Sequence, residues 1–179
     1  MKNIMSTEKL IIITGTPATG KSTIAKVLTK RLGYELIDVK KITKDKEVDV
    51  LKLRRKLLQI IKEKNKNGKD IIIENHLLCE ISLPANIVFV LRTEPGLLKR
   101  RMQKRGYSNQ KIDDNLLCEM LDYCTQKALD NYKSKIYDID TGKRNIESSI
   151  KFMLDIIKGK IKKSDKIDFT KQLKKYTKG

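Results

Sequence analysis

Apolar positions along the chain fall into two alternating kinds of run. Short, continuous ones read as buried strands: Leu10-Ile11-Ile12-Ile13-Thr14, Tyr34 to Asp38, Asp70 to Glu74 around Ile71-Ile72-Ile73, Ile87 to Leu91, and Ile136 to Ile139. Between them the apolar residues recur at helical spacing. Residues 21–32 present Ile24, Val27 and Leu28, with Gly33 as the stop, and residues 50–64 present Val50, Leu53, Leu57, Ile60 and Ile61. Leu97 to Lys104 is a further helix, broken by Arg105-Gly106-Tyr107-Ser108, with Ser108 as the N-cap of a long helix from Asn109 to Lys133. That helix buries Ile112, Leu116, Met120, Cys124 and Ala128. Asn145 to Lys158 is the last core helix, packing through Ile146, Ile150, Met153, Leu154 and Ile157. Lys40 to Lys46 is polar and reads as loop.

Alternation of buried strands with amphipathic helices predicts an α/β three-layer sandwich around a mostly parallel five-stranded sheet. Ligands in such sheets sit at the carboxyl ends of the strands. Asp38, Glu74 to His76, Arg92 and the loop after the first strand all fall there. Beyond residue 159 the chain is Lys-rich and weakly periodic, so 160–179 is either a flexible basic tail or a marginal helix around Phe169 to Tyr176.

The loop after the first strand carries the clearest chemistry. Gly15-Thr16-Pro17-Ala18-Thr19-Gly20-Lys21-Ser22-Thr23 has the glycine, lysine and hydroxyl spacing of a phosphate-cradling P-loop between a strand and a helix. Its glycines permit a tight turn, and successive N–H groups at a helix N-terminus form an anion nest. Lys21 supplies a cation for the outer phosphates, and Ser22 a hydroxyl for Mg²⁺. Glu74, ending an all-isoleucine strand, is placed to hold Mg²⁺ through water or to orient an attacking water. His76, the single histidine, falls two residues on. Arg92 and Arg105, with Arg100 and Arg101 as competitors, are guanidinium candidates for charge on a moving phosphoryl group.

Composition narrows the partners. The 179 residues carry 40 Lys and Arg against 22 Asp and Glu, a net charge of +18, which favours polyanions such as nucleic acid. Lys52, Arg54, Arg55 and Lys56 lie where small phosphotransferases bind their acceptor, and serve equally as a solvated helix face. No apolar run reaches the ~20 residues of a membrane span. The polar start gives no sign of a signal peptide, so a cytoplasmic protein is expected. Cys79, Cys118 and Cys124 lack metal-site spacing and read as free thiols.

The chain resembles the adenylate kinase isoenzyme 6 family, archaeal and eukaryotic nucleotide kinases and ATPases. The resemblance rests on Thr14 to Pro17, Gly20 to Thr23, Glu74-Asn75-His76, Val88 to Thr93, Arg105 to Ser108, Lys111-Ile112, Asn115 and Glu119, and runs from about Ile11 to Ile157. It implies a P-loop kinase domain over residues 1–159, with a nucleoside monophosphate (NMP) binding region at about 38–61 and a short lid at about 104–114. It implies a monomer binding ATP–Mg²⁺ and AMP, adenylate kinase and ATPase activity, and a role in small ribosomal subunit maturation beside a ribosomal protein and pre-ribosomal RNA. Glu74 and His76 match the family's acid-x-His motif, Arg105 its lid arginine and Lys143 a lysine near the adenine. Ala18 and Lys40 replace family glycines, and Glu74 replaces an aspartate. If position 18 needs a positive φ, the alanine costs on the order of 1 kcal/mol.

Overall fold

The computed structural model describes residues 9–43 and 48–176, so residues 44–46 of the expected loop lie outside the described part. Five strands form one sheet: β1 (Leu10–Thr14), β2 (Glu35–Asp38), β3 (Ile71–Glu74), β4 (Ile87–Arg92) and β5 (Lys135–Asp140). Their order is β2-β3-β1-β4-β5, and every pairing is parallel. The isoleucine runs are explained by this geometry. A central parallel strand is covered on both faces, so alternation with polar residues is lost.

Side chains of β1 alternate between two cores. Ile11 and Ile13 pack with Ile72, Phe89, Leu91 and Ile139 against α1 (Lys21–Leu32) and, after β5, the helix Ile146–Ile157. Leu10 and Ile12 pack with Ile71, Ile73, Val88 and Val90 on the opposite face. That face is covered by α3 (Val50–Lys66), a 3₁₀ turn (His76–Glu80) and α6 (Tyr123–Asn131). Between β2 and α3 lies the one-turn helix α2 (Val39–Ile42), capped by the Asp38 carboxylate accepting from Lys40 N, where loop was expected.

A third apolar cluster sits beyond the carboxyl edge of the sheet. Here α4 (Pro95–Lys104) and α5 (Asn109–Met120) contribute Leu98, Met102, Ile112, Leu116 and Met120. Gly106, at φ 68°, ends the α4 turn, and Ser108 Oγ accepts from Lys111 N to start α5. The expected lid segment, about 104–114, spans the end of α4, the Gly106 turn and the first half of α5.

Two further expectations need correction, and one open alternative is decided. The single helix over 109–133 is two helices: the chain breaks at Leu121–Asp122, where Asp122 takes φ 54°. Asp122 turns because its carboxylate reaches Arg92 Nη2 at 2.5 Å. Ile146 does not pack in the core; it opens α7 (Ile146–Ile157) and is 51% exposed. The segment after 159 packs on the domain and ends in α8 (Thr170–Tyr176), with Phe169 buried in the third cluster, so of the two expected forms the helix is found.

Candidate active site

The loop from β1 to α1 follows its sequence closely. Gly15 has φ 127°, and a Cβ there would lie 2.3 Å from Leu91 O. Glycine is thus required twice, for the conformation and for the contact with β4. Gly20, at φ 100°, is the N-cap of α1 and supplies no side-chain cap, which leaves the first N–H groups of the helix for an anion. Ala18 does sit at positive φ, 69°. Its methyl offsets that strain by packing in the third cluster with Leu98, Met102, Ile112 and Leu116.

Lys21 is 8% exposed, and its ammonium donates to Gly15 O at 2.8 Å and Thr16 O at 2.9 Å. Burial lowers its pKa from 10.5 to about 8, against the opposing pull of Glu74 and Glu119. Ser22 Oγ donates to Glu74 Oε1 at 2.8 Å. The two residues expected to serve a metal are therefore adjacent. Among the described residues no three His, Cys, Asp or Glu side chains gather into a metal cage. One hydroxyl beside one carboxylate suits Mg²⁺, which keeps several waters and takes its other oxygens from substrate phosphates.

His76 lies at the mouth of the same cleft. Partial desolvation first, then Lys21, Lys111 and Lys40, push its pKa down to about 4. The residue as a whole remains exposed, and the direction of the shift leaves the imidazole neutral at pH 7. Its backbone carbonyl accepts from Thr14 Oγ1 at 3.3 Å, which fixes the turn to β1.

Two adjoining cavities meet at the P-loop. One, of about 300 Å³, gathers Lys21, Ser22, Glu74 and His76 with Lys40, Arg105, Lys111 and Asn115. The other, of about 540 Å³, runs past Thr19, Thr23 and Arg105 to Arg101, Thr141, Arg144 and Ile146. Arg105 lines both. Sequence reasoning did not assign Lys111 and Asn115 a role in the cleft. They stand four apart on α5, and that spacing after Ser108 was the available signal. Lys40, noted only as a departure from glycine, adds an ammonium to the cleft.

Lys143 and Arg92 stand elsewhere. Lys143 is 75% exposed, pairs with Asp140 Oδ2 at 3.5 Å and does not line the larger cavity; its neighbour Arg144 does. Arg92 does not reach the phosphate cleft. It is 2% exposed, and it donates from Nε to Glu119 Oε1 (2.9 Å), from Nη2 to Glu119 O (2.8 Å) and Asp122, and from Nη1 to Thr125 Oγ1 (3.1 Å). Glu119, 1% exposed and named in the sequence only as part of the family resemblance, accepts from Thr93 N at 2.9 Å and from Thr16 Oγ1. Arg92 thus bears on the P-loop from behind, through Glu119.

The AAA domain family matches residues 11–122, from the P-loop strand to the break before α6. A relative from Methanocaldococcus jannaschii, named "Putative adenylate kinase", is 35% identical over 175 residues, covering 93% of this chain and 96% of its own. A second of that name, from Pyrococcus abyssi, is 33% identical over 159 residues, covering 86% and 87%. This chain belongs to that family of P-loop nucleotide kinases. Solved structures agree at the level of fold. A deoxyadenosine kinase from M. mycoides superposes with TM-score 0.56 at 20% identity, over 85% of this chain and all of that one. A sugar kinase from Janibacter gives 0.61 at 16% identity, over 84% and 95%. The match of the AAA domain ends at residue 122, so β5, the larger cavity's far wall and α8 are carried by the kinase outside it.

Proposed function

We propose that this kinase transfers the γ-phosphoryl group of ATP to AMP, giving two ADP. The observation that carries the reading is the convergence of Lys21, the Ser22–Glu74 pair, His76, Lys40, Arg105 and Lys111 on one cleft around the P-loop. The relatives' shared name supports AMP as the acceptor.

In this reading the P-loop N–H groups and Lys21 hold the β- and γ-phosphates, and the larger cavity beside Arg101 and Arg144 takes the nucleoside. Mg²⁺, held by Ser22 and by Glu74 directly or through water, would supply charge neutralisation between the two outer phosphates. An oxygen of the AMP phosphate attacks the γ-phosphorus, and the bond to the β–γ bridging oxygen breaks. Phosphoryl transfer asks mainly for positioning and positive charge, and the cations around the cleft supply both. His76, neutral, accepts a hydrogen bond from a water or a phosphate hydroxyl without adding charge. Lys40 reaches from the acceptor side, at the edge of α2.

The experiment is ADP formation from ATP–Mg²⁺ with and without AMP. Expected is a strong AMP-dependent rate above slow background hydrolysis. A rate unchanged by AMP would sink the reading. A second reading is favoured by the net charge of +18 and by exposed Lys52, Arg55 and Lys56 on α3: ATP hydrolysis coupled to binding a polyanionic assembly, with ribosomal protein and RNA as partners. Hydrolysis accelerated by ribosomal precursors rather than by AMP, with steep salt dependence, would favour it.

A further inference from the structure

The C-terminal segment is attached to the back of the nucleotide site at three places. Along β5, Asp165 N donates to Asp138 O at 3.1 Å, and Asp165 Oδ2 accepts from Asp140 N at 2.8 Å. The same carboxylate takes both terminal nitrogens of Arg144, one of them at 2.6 Å, and Arg144 walls the larger cavity. Further on, Phe169 is buried among Ala18, Leu98, Met102, Ile112, Leu116 and Met120. Its ring centroid lies 5.5 Å from Arg92 Cζ. Finally, Gln172 Nε2 donates to Glu94 Oε1 at 3.0 Å, the carboxylate that caps α4.

Phe169 therefore meets the P-loop support twice. The edge of the Arg92 guanidinium is used by Glu119, Asp122 and Thr125, and its face lies over the Phe169 ring, a cation–π contact strengthened by desolvation. Arg92 fixes Glu119, and Glu119 fixes Thr16 in the loop. Separately, Phe169 shares an apolar cluster with the Ala18 methyl, whose residue is held at positive φ. A glycine at position 18 would have no side chain to seat there.

We infer that Phe169 is a positioning residue for the nucleotide site, holding the P-loop in its anion-binding shape through Ala18 and through the Arg92–Glu119–Thr16 chain. The inference rests on the proposed binding of ATP at the P-loop, but not on AMP as acceptor.

The test uses the full chain and three measurements: ATP affinity by calorimetry, AMP-dependent ADP formation, and thermal unfolding without nucleotide. Phe169→Ala is expected to weaken ATP binding about tenfold, and Phe169→Leu, which keeps the apolar volume, only about threefold. Thr16→Val removes the hydroxyl that Glu119 holds. In the Phe169→Ala/Thr16→Val double variant the loss should fall short of the product of the two single losses, because the two variants share the Arg92–Glu119–Thr16 route. ATP affinity of Phe169→Ala within twofold of wild type overturns the inference, as do losses that multiply. Should Phe169→Ala melt below the assay temperature, Phe169→Leu decides alone, and an unchanged ATP affinity overturns. A wild type that binds ATP but makes no ADP from AMP sinks the AMP kinase reading and leaves the binding arm to judge Phe169. A wild type that binds no ATP sinks both.

Discussion

The front and the back of the P-loop are both charged, and they use charge in opposite ways. At the front, Lys21, Lys40, Arg105 and Lys111 face a cleft that also holds Glu74 and His76. Partial burial first, and then Lys21, Lys111 and Lys40, depress His76, and the cations are left to act on whatever anion enters. At the back, Arg92 is matched by Glu119 and Asp122 and sealed by Phe169. The front is a site that an anion completes; the back is complete already. An arginine at the end of a strand can thus support a phosphate loop without facing the cleft itself.

The comparison is open to four measurements. The largest effect is expected at the back: Glu119→Ala strips the buried acceptor from Arg92 Nε, Thr93 N and Thr16 Oγ1, leaves Arg92 with Asp122 as its one carboxylate, and should cost about 3 kcal/mol of stability, read from denaturant unfolding. A loss below about 1 kcal/mol would mean the back is not a support. At the front, Lys21→Ala should lower kcat/KM on the order of 10²–10³-fold, as removal of one charge-stabilising donor does, with unfolding nearly unchanged. If its stability fell as far as that of Glu119→Ala, front and back would not be separable.

Acidity gives the third test. Lys21 is protonated below about pH 8 and loses its charge above it. ATP affinity should therefore hold from pH 6 to 7.5 and fall by up to about tenfold per pH unit above 8, since binding must then restore the proton. An affinity flat to pH 10 would place the ammonium's pKa near its ordinary value. The smallest effect separates neighbours. Arg144→Ala should weaken ATP binding by roughly 3- to 10-fold through the lost cavity wall, whereas Lys143→Ala, a surface pair, should stay within about twofold.

Sequence reasoning read the front better than the back. Gly15, Gly20, Lys21 and Ser22 lie within eight residues, and Glu74 ends a strand with His76 two residues on, so local spacing carries the chemistry. The back joins residues 16, 92, 119, 122 and 169, and no local pattern links them. Helical periodicity from Ile112 to Ala128 runs on with neither Gly nor Pro to interrupt it. The break at Asp122 answers to Arg92, thirty positions earlier. Likewise nothing around Phe169 marks it as core, because its partners come from the P-loop, α4 and α5. Arg92 was read as facing the phosphate from its place at a strand end, which fixes where the backbone stops but not where the guanidinium goes.

The wholly parallel sheet has a consequence for how this kinase is made. β1, which delivers the P-loop, sits between β3 and β4, residues 71–74 and 87–92. During synthesis the first strand must wait, hydrophobic and unpaired, for some sixty further residues before either neighbour exists. Pairing over such separations is slow and leaves the apolar edge open to misassociation. The isoleucines that make β1 so good a centre for the finished sheet are the same ones a nascent chain has most need to shield.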